Sequence, residues 1–113
     1  MTNTAYKIVK AFLNDESLRV SNSNTNGSEL YLFGNKIAHK ENNNIIISMC
    51  GYNTKTTKDR LNELLNQTRN NLRIRSKDYQ PFLIKYDHEN KIIDSLKIDS
   101  DQSINLSEVL KND

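Results

Sequence analysis

The sequence predicts an α+β fold: a mainly antiparallel sheet of about five strands, with an N-terminal helix and a central helix packed on it. Three observations carry this reading. Apolar residues recur at helical spacing in two separate segments. Short alternating segments follow one another directly, broken only by Asn- and Gly-rich turns. No helix intervenes between the first strands, which suits hairpins rather than parallel crossovers. The chain has 113 residues, one domain's worth. No repeat or flexible linker divides it, so residues 1–113 are read as a single domain.

Residues 4–14, "TAYKIVKAFLN", place Ala5, Ile8, Val9, Ala11, Phe12 and Leu13 on one side, with Lys7 and Lys10 toward water. Thr4 is the expected N-cap. "SLRVSNS" at 17–23 alternates as a strand, and Asn26-Gly27 marks a hairpin turn. "LYLFGNKIAHKE" at 30–41 reads as a second strand with a bulge or kink at Gly34-Asn35. "NNN" at 42–44 is a turn, and "IIISMC" at 45–50 is a strand apolar enough for burial on both faces. A helix is expected over 57–67, with Thr56 and Asp59 at capping-box spacing and Leu61, Leu64 and Leu65 on its apolar face. Beyond it, "NLRIRSKDYQPFLIKY" at 71–86 is extended, with Arg73, Arg75 and Lys77 on one side. Pro81 argues for an edge strand or a break. "KIIDSLKI" at 91–98 is a further strand, and "INLSEVLKN" at 104–112 a short helix capped by Asn105.

Net charge is +2, too small alone to imply a polyanion partner. The charge is unevenly placed. Residues 55–77 carry seven cations against two acids, and residues 87–113 seven acids against three lysines. A single cysteine, Cys50, excludes an internal disulfide and a thiolate metal cluster. It sits after Met49 in an apolar segment and reads as a small hydrophobe. No secretory signal and no membrane-length apolar run is present, so a cytoplasmic location in the cell that makes it is expected.

Residues 30–62 contain Leu32, Gly34, Asn35, Ile37 and Ala38, then Gly51 and Tyr52, then Thr54, Thr56, Thr57, Arg60, Leu61 and Asn62. This pattern, L-x-G-N-x-I-A followed by G-aromatic-x-T-x-T-T-x-x-R-L-N, resembles small proteins of bacteriophages, plasmids and other mobile elements of low-GC Gram-positive bacteria. The resemblance implies origin and local fold rather than a reaction.

Three groups of residues are candidate sites. Thr54, Lys55, Thr56, Thr57 and Lys58 open a helix, where free N–H groups cap or hold an anion; no glycine-rich phosphate loop precedes them. Arg69, Arg73, Arg75 and Lys77 could lie along phosphates or an acidic partner, with Tyr79 stacking on a base. Asp94, Asp99 and Asp101 could present an acidic face to a basic channel. They lack the glycine and distal glutamate of a calcium loop, and no metal site is expected. His39 and His88 have no sequence context that pairs them as acid and base. No cofactor motif is present.

The sequence therefore leads to a non-enzymatic binding protein that modulates a host system, including inhibition of a defence nuclease of the CRISPR-effector type. The expected partner is a host or rival protein, such as a nucleic-acid-processing effector, without membrane involvement. The alternative is a small DNA- or RNA-binding regulator using residues 69–77. A third reading is a virion assembly protein acting through an edge strand. The first two differ in whether the acidic tail covers the basic strand.

Overall fold

The computed structural model describes residues 3–110. Helix α1, Asn3–Leu13, turns Ala5, Ile8, Val9, Ala11 and Phe12 inward. Thr4 lies within the helix rather than at its cap. After it come β1 (Leu18–Val20), β2 (Ser23–Thr25), β3 (Glu29–Leu32), β4 (Asn35–Glu41) and β5 (Asn44–Ile47). They pair in sequence order, all antiparallel.

Five strands stand where three were expected, because the chain folds back at left-handed residues inside two of the predicted segments. Ser21 has φ +56°, and Phe33 and Gly34 have φ +51° and +80°. Phe33-Gly34 is thus a two-residue hairpin turn, not a bulge within one strand; the register shift of this hairpin falls at Leu30/Tyr31. Asn42-Asn43, φ +51° and +68°, closes the next hairpin in the same way. The expected turn at Asn26-Gly27 lies between β2 and β3. Gly27 has φ +92°, and a Cβ there would come within 2.8 Å of the Asp15 backbone. The Nζ of Lys40 closes this corner by donating to Phe12 O at 2.6 Å and Gly27 O at 2.9 Å. The Ile45 and Ile46 side chains are half-buried, so β5 is not covered on both faces as predicted. Cys50 is half-buried in the turn beyond β5, with its Sγ directed at Lys36 O.

Helix α2, Lys55–Thr68, is longer than predicted and is capped two residues earlier, by Thr54. Thr54 has extended backbone angles, and its Oγ1 accepts from Thr57 N at 3.2 Å. The expected box between Thr56 and Asp59 does not form, since both already lie inside the helix.

The segment predicted as one extended run folds into β6 (Leu72–Lys77) and β7 (Gln80–Tyr86), joined at Asp78-Tyr79 with φ +52° and +64°. With β8 (Ile92–Lys97) they form a separate antiparallel sheet in the order β6-β7-β8. Pro81 is therefore in the central strand rather than on an edge. Its carbonyl accepts from Ile98 N at 3.2 Å. The donor that proline lacks is replaced by the Gln80 side chain, whose Nε2 reaches Ile98 O at 2.7 Å. Finally β9 (Ile104–Asn105) returns to pair with β5, completing a six-stranded sheet. The helix expected over 104–112 is absent as far as Leu110: Leu106 N bonds to Ile45 O, which spends the segment on the sheet edge. Lys111 and Asn112 lie outside the described residues.

One hydrophobic core joins both sheets and both helices. Phe12, Leu30, Ile37, Ile47, Leu61, Leu64, Leu65, Leu72 and Leu83 are all essentially inaccessible to solvent. Each contributes roughly 1.5–3 kcal/mol of burial. Leu72 and Ile74 on β6, which packs on α2, and Leu83 on β7 enter this core from the second sheet, and this leaves the opposite face of that sheet outward.

Candidate nucleic-acid interface

Strand alternation decides what the outward face carries. On β6, Leu72 and Ile74 are buried, so Arg73, Arg75 and Lys77 point the other way. On β7, Pro81, Leu83 and Lys85 are buried, which turns Phe82, Ile84 and Tyr86 outward and half-exposed. The register places Arg75 beside Phe82 and Arg73 beside Ile84. Across β7, Phe82 lies beside Lys97 and Ile84 beside Ser95. The outer face thus combines four cations with an aromatic and aliphatic centre, and no acidic residue of these strands shares it. Asp94 is opposite the buried Lys85 and belongs to the inner face.

The cations differ in freedom. The Nη1 of Arg73 donates to Asn70 O and Leu72 O, at 3.2 and 2.7 Å, and its Nη2 to Asn66 Oδ1 at 3.4 Å. Arg75, Lys77 and Lys97 are exposed and make no ion pair among the described residues. One end of the face opens into a depression of about 910 Å³, bordered by Arg69, Arg73, Arg75, Tyr86 and His88.

Arg69 has a different task from the other basic residues. Its guanidinium donates to Leu106 O at 2.7 Å and to Val109 O and Leu110 O at 2.9 Å. It ties the last described residues to the end of α2. Tyr79 is not on the face either; it stands at the tip of the β6–β7 hairpin and is 95% exposed.

Of the three candidate acidic residues, Asp94 is set apart from Asp99 and Asp101. Asp94 is within β8, whereas Asp99 and Asp101 lie past its end, in the turn that Gln102 N closes on Asp99 O. None of them pairs with the basic strand, so the acidic tail does not cover it, as far as Leu110.

Within the threonine-lysine run, Thr54, Thr57 and Lys58 make structural bonds, while Lys55 is exposed and Thr56 half-buried. Thr54 and Thr57 share a hydroxyl bond of 3.0 Å, and Lys58 Nζ donates to Ser76 Oγ at 2.9 Å. Further along α2, Arg60 is buried and donates through Nε to Ser23 Oγ at 3.0 Å. Burial pushes its pKa down, an effect that the nearby Asp59 opposes. The side chain of Asn62 exchanges two bonds with the Ile74 backbone, at 2.7 and 3.0 Å, and so closes the open edge of β6.

His39 meets Glu41 at 3.3 Å and His88 meets Glu89 at 3.7 Å, on different sheets. Among the described residues no cluster of three His, Cys, Asp or Glu side chains could hold a metal, and no helix is long and apolar enough to cross a membrane.

Phe82, Ile84, Tyr86 and Lys97 were not legible as site residues. The alternation of "PFLIKY" was visible, but its pairing with β6 depends on a turn at Asp78-Tyr79 that carries no Gly or Asn.

Fold and site together define a small α+β protein with one sheet face left uncovered, basic and partly aromatic. Matching residues 1–105, the chain belongs to the family described as Kyanoviridae Gp96 protein, a phage protein family. No curated protein and no solved structure matches it.

Proposed function

We propose that this phage protein binds single-stranded nucleic acid on the outer face of the β6–β8 sheet, as a binding platform without a catalytic step. The observation that carries this reading is the placement of Arg73, Arg75, Lys77 and Lys97 around half-exposed Phe82 and Tyr86, with no carboxylate on the same strand face. Cations neutralise phosphates while aromatic rings stack on bases, and neither contact requires a particular sequence. A duplex offers its phosphates but not its base faces, so it binds less well.

The test is fluorescence anisotropy of a labelled oligothymidine about 12 nucleotides long. Arg75→Ala and Lys77→Ala together are expected to weaken binding about tenfold or more, and Phe82→Ala by about fivefold or more. Absence of binding at low salt, or unchanged binding by a variant that carries Arg75→Ala, Lys77→Ala and Phe82→Ala together, rejects the reading.

A second reading follows from phage origin and from Asp99 and Asp101, which are exposed without ion pairs among the described residues. In it the protein engages a host system, a defence nuclease included, by meeting a basic surface.

A further inference from the structure

Seven large apolar or aromatic side chains are substantially exposed among the described residues, and three of them belong to turns that lie together: Phe33 at 68%, Tyr52 at 54% and Tyr79 at 95%. Their turns are joined. Phe33 and Tyr52 border one groove of about 380 Å³, whose walls include Leu32, Ile37 and Met49. The next residue, Asn53, donates through Nδ2 to Tyr79 O at 3.0 Å. Gly51 N donates to Ser100 O at 2.8 Å, which brings in the Asp99–Asp101 turn. A second hollow of about 380 Å³ then lies among Tyr79, Asn53, Asp99 and Asp101.

Turn chemistry does not account for these aromatics. Three two-residue hairpins in the fold have both turn residues left-handed. One uses Asn42-Asn43, residues that tolerate this backbone. The other two place Phe33 and Tyr79 there, where bulky side chains are strained, and then leave them in water. Strained, exposed positions at a surface point to contact with something else.

We propose that Phe33, Tyr52 and Tyr79 form a docking surface for a folded protein whose apolar pockets are rimmed by cations. Charge selects this occupant. Asp78, Asp99 and Asp101 stand at the Tyr79 end without ion pairs among the described residues, so they repel phosphates and attract lysine and arginine. Rigid aromatic anchors among Asn, Ser, Thr and Gly are the composition of loop-built protein-binding surfaces. The surface deepens the host-directed reading and is independent of the nucleic-acid face.

The test introduces a photo-cross-linker by Tyr79→p-benzoylphenylalanine and Tyr52→p-benzoylphenylalanine. Tyr6→p-benzoylphenylalanine, on α1, is the control. Each protein is irradiated in nuclease-treated lysate of phage-infected cells. One protein is expected to cross-link from positions 79 and 52 and not from 6. Once purified, that protein should bind Phe33→Asn and Tyr79→Asn about tenfold more weakly and bind less at high salt. Tyr79→Asn should also melt a few degrees higher, since the backbone strain is relieved, which separates lost contact from lost folding. Equal labelling from position 6, no adduct, adducts only with nucleic acid or with a second copy, or unchanged binding of the variants would overturn the proposal. A phage-encoded partner that meets these criteria would keep the docking surface and reject the host-directed reading.

Discussion

Gly27 shows how much a single hydrogen atom decides here. Its left-handed φ and its position against Asp15 leave no room for a methyl group, and the obstacle is backbone rather than a movable side chain. Gly27→Ala is expected to cost about 2 kcal/mol or more, read as a lowered urea midpoint with an unchanged slope. Two residues on, Glu29 is held below the usual carboxylate range, first by the Asn26 amide, which donates to Oε1 at 3.1 Å, and then by Tyr31 and Lys36. A lowered folded pKa adds stability above the unfolded value and loses it as the pH falls through the folded one. Glu29→Gln should therefore lower stability at neutral pH and leave it unchanged below the folded pKa, which flattens the acid limb of the stability curve; a parallel shift at every pH would count against this. Several motif residues also resolve at this scale. Thr54 caps a helix, Arg60 reaches Ser23, Leu61 enters the core and Asn62 closes β6. Tyr52, exposed, does none of these things.

Elements were legible where local signals agreed with their tertiary use. The stripe of α1 and the leucines of α2 were readable because burial follows the helical period. The Asn26-Gly27 and Asn42-Asn43 turns were readable because their residues favour left-handed backbone. Strand breaks at Ser21, Phe33 and Tyr79 were not, since those residues adopt a conformation that their own chemistry disfavours. Pro81 misled for a related reason: its lost donor is supplied by a side chain, which no strand pattern encodes. The division into two sheets was hidden as well, because pairing partners are not written in alternation. Of the candidate site, the cationic stripe was legible and its aromatic half was not. Arg69 looked like part of that stripe, yet it serves as the clamp on the C-terminal segment. Arg69→Ala should raise amide exchange over residues 106–110 and cost about 1–3 kcal/mol, while oligothymidine affinity changes less than about twofold. A large affinity loss would return Arg69 to the interface.

At the scale of the whole molecule, a net charge of +2 conceals segregation. Cations collect on one sheet face and unpaired carboxylates at one end, so the small total understates each local field. If three to four phosphates are neutralised on the face, log affinity against log salt should fall with a slope of roughly −2 to −3 for single strands. Removing Arg75 should make that slope shallower by about 0.7. The pairing of β5 with β9 has a further consequence, in time rather than in charge. Ile47 meets Ile104, so the first sheet borrows its last strand from the far end of the chain. On the ribosome, residues 72–97 can complete their own sheet while the older one still waits with an open edge. Closing the longer loop is entropically slower than forming any hairpin here. The nascent protein should thus finish its second sheet before its first, with the Ile47 edge the last to be sealed and the most exposed to misassociation until it is.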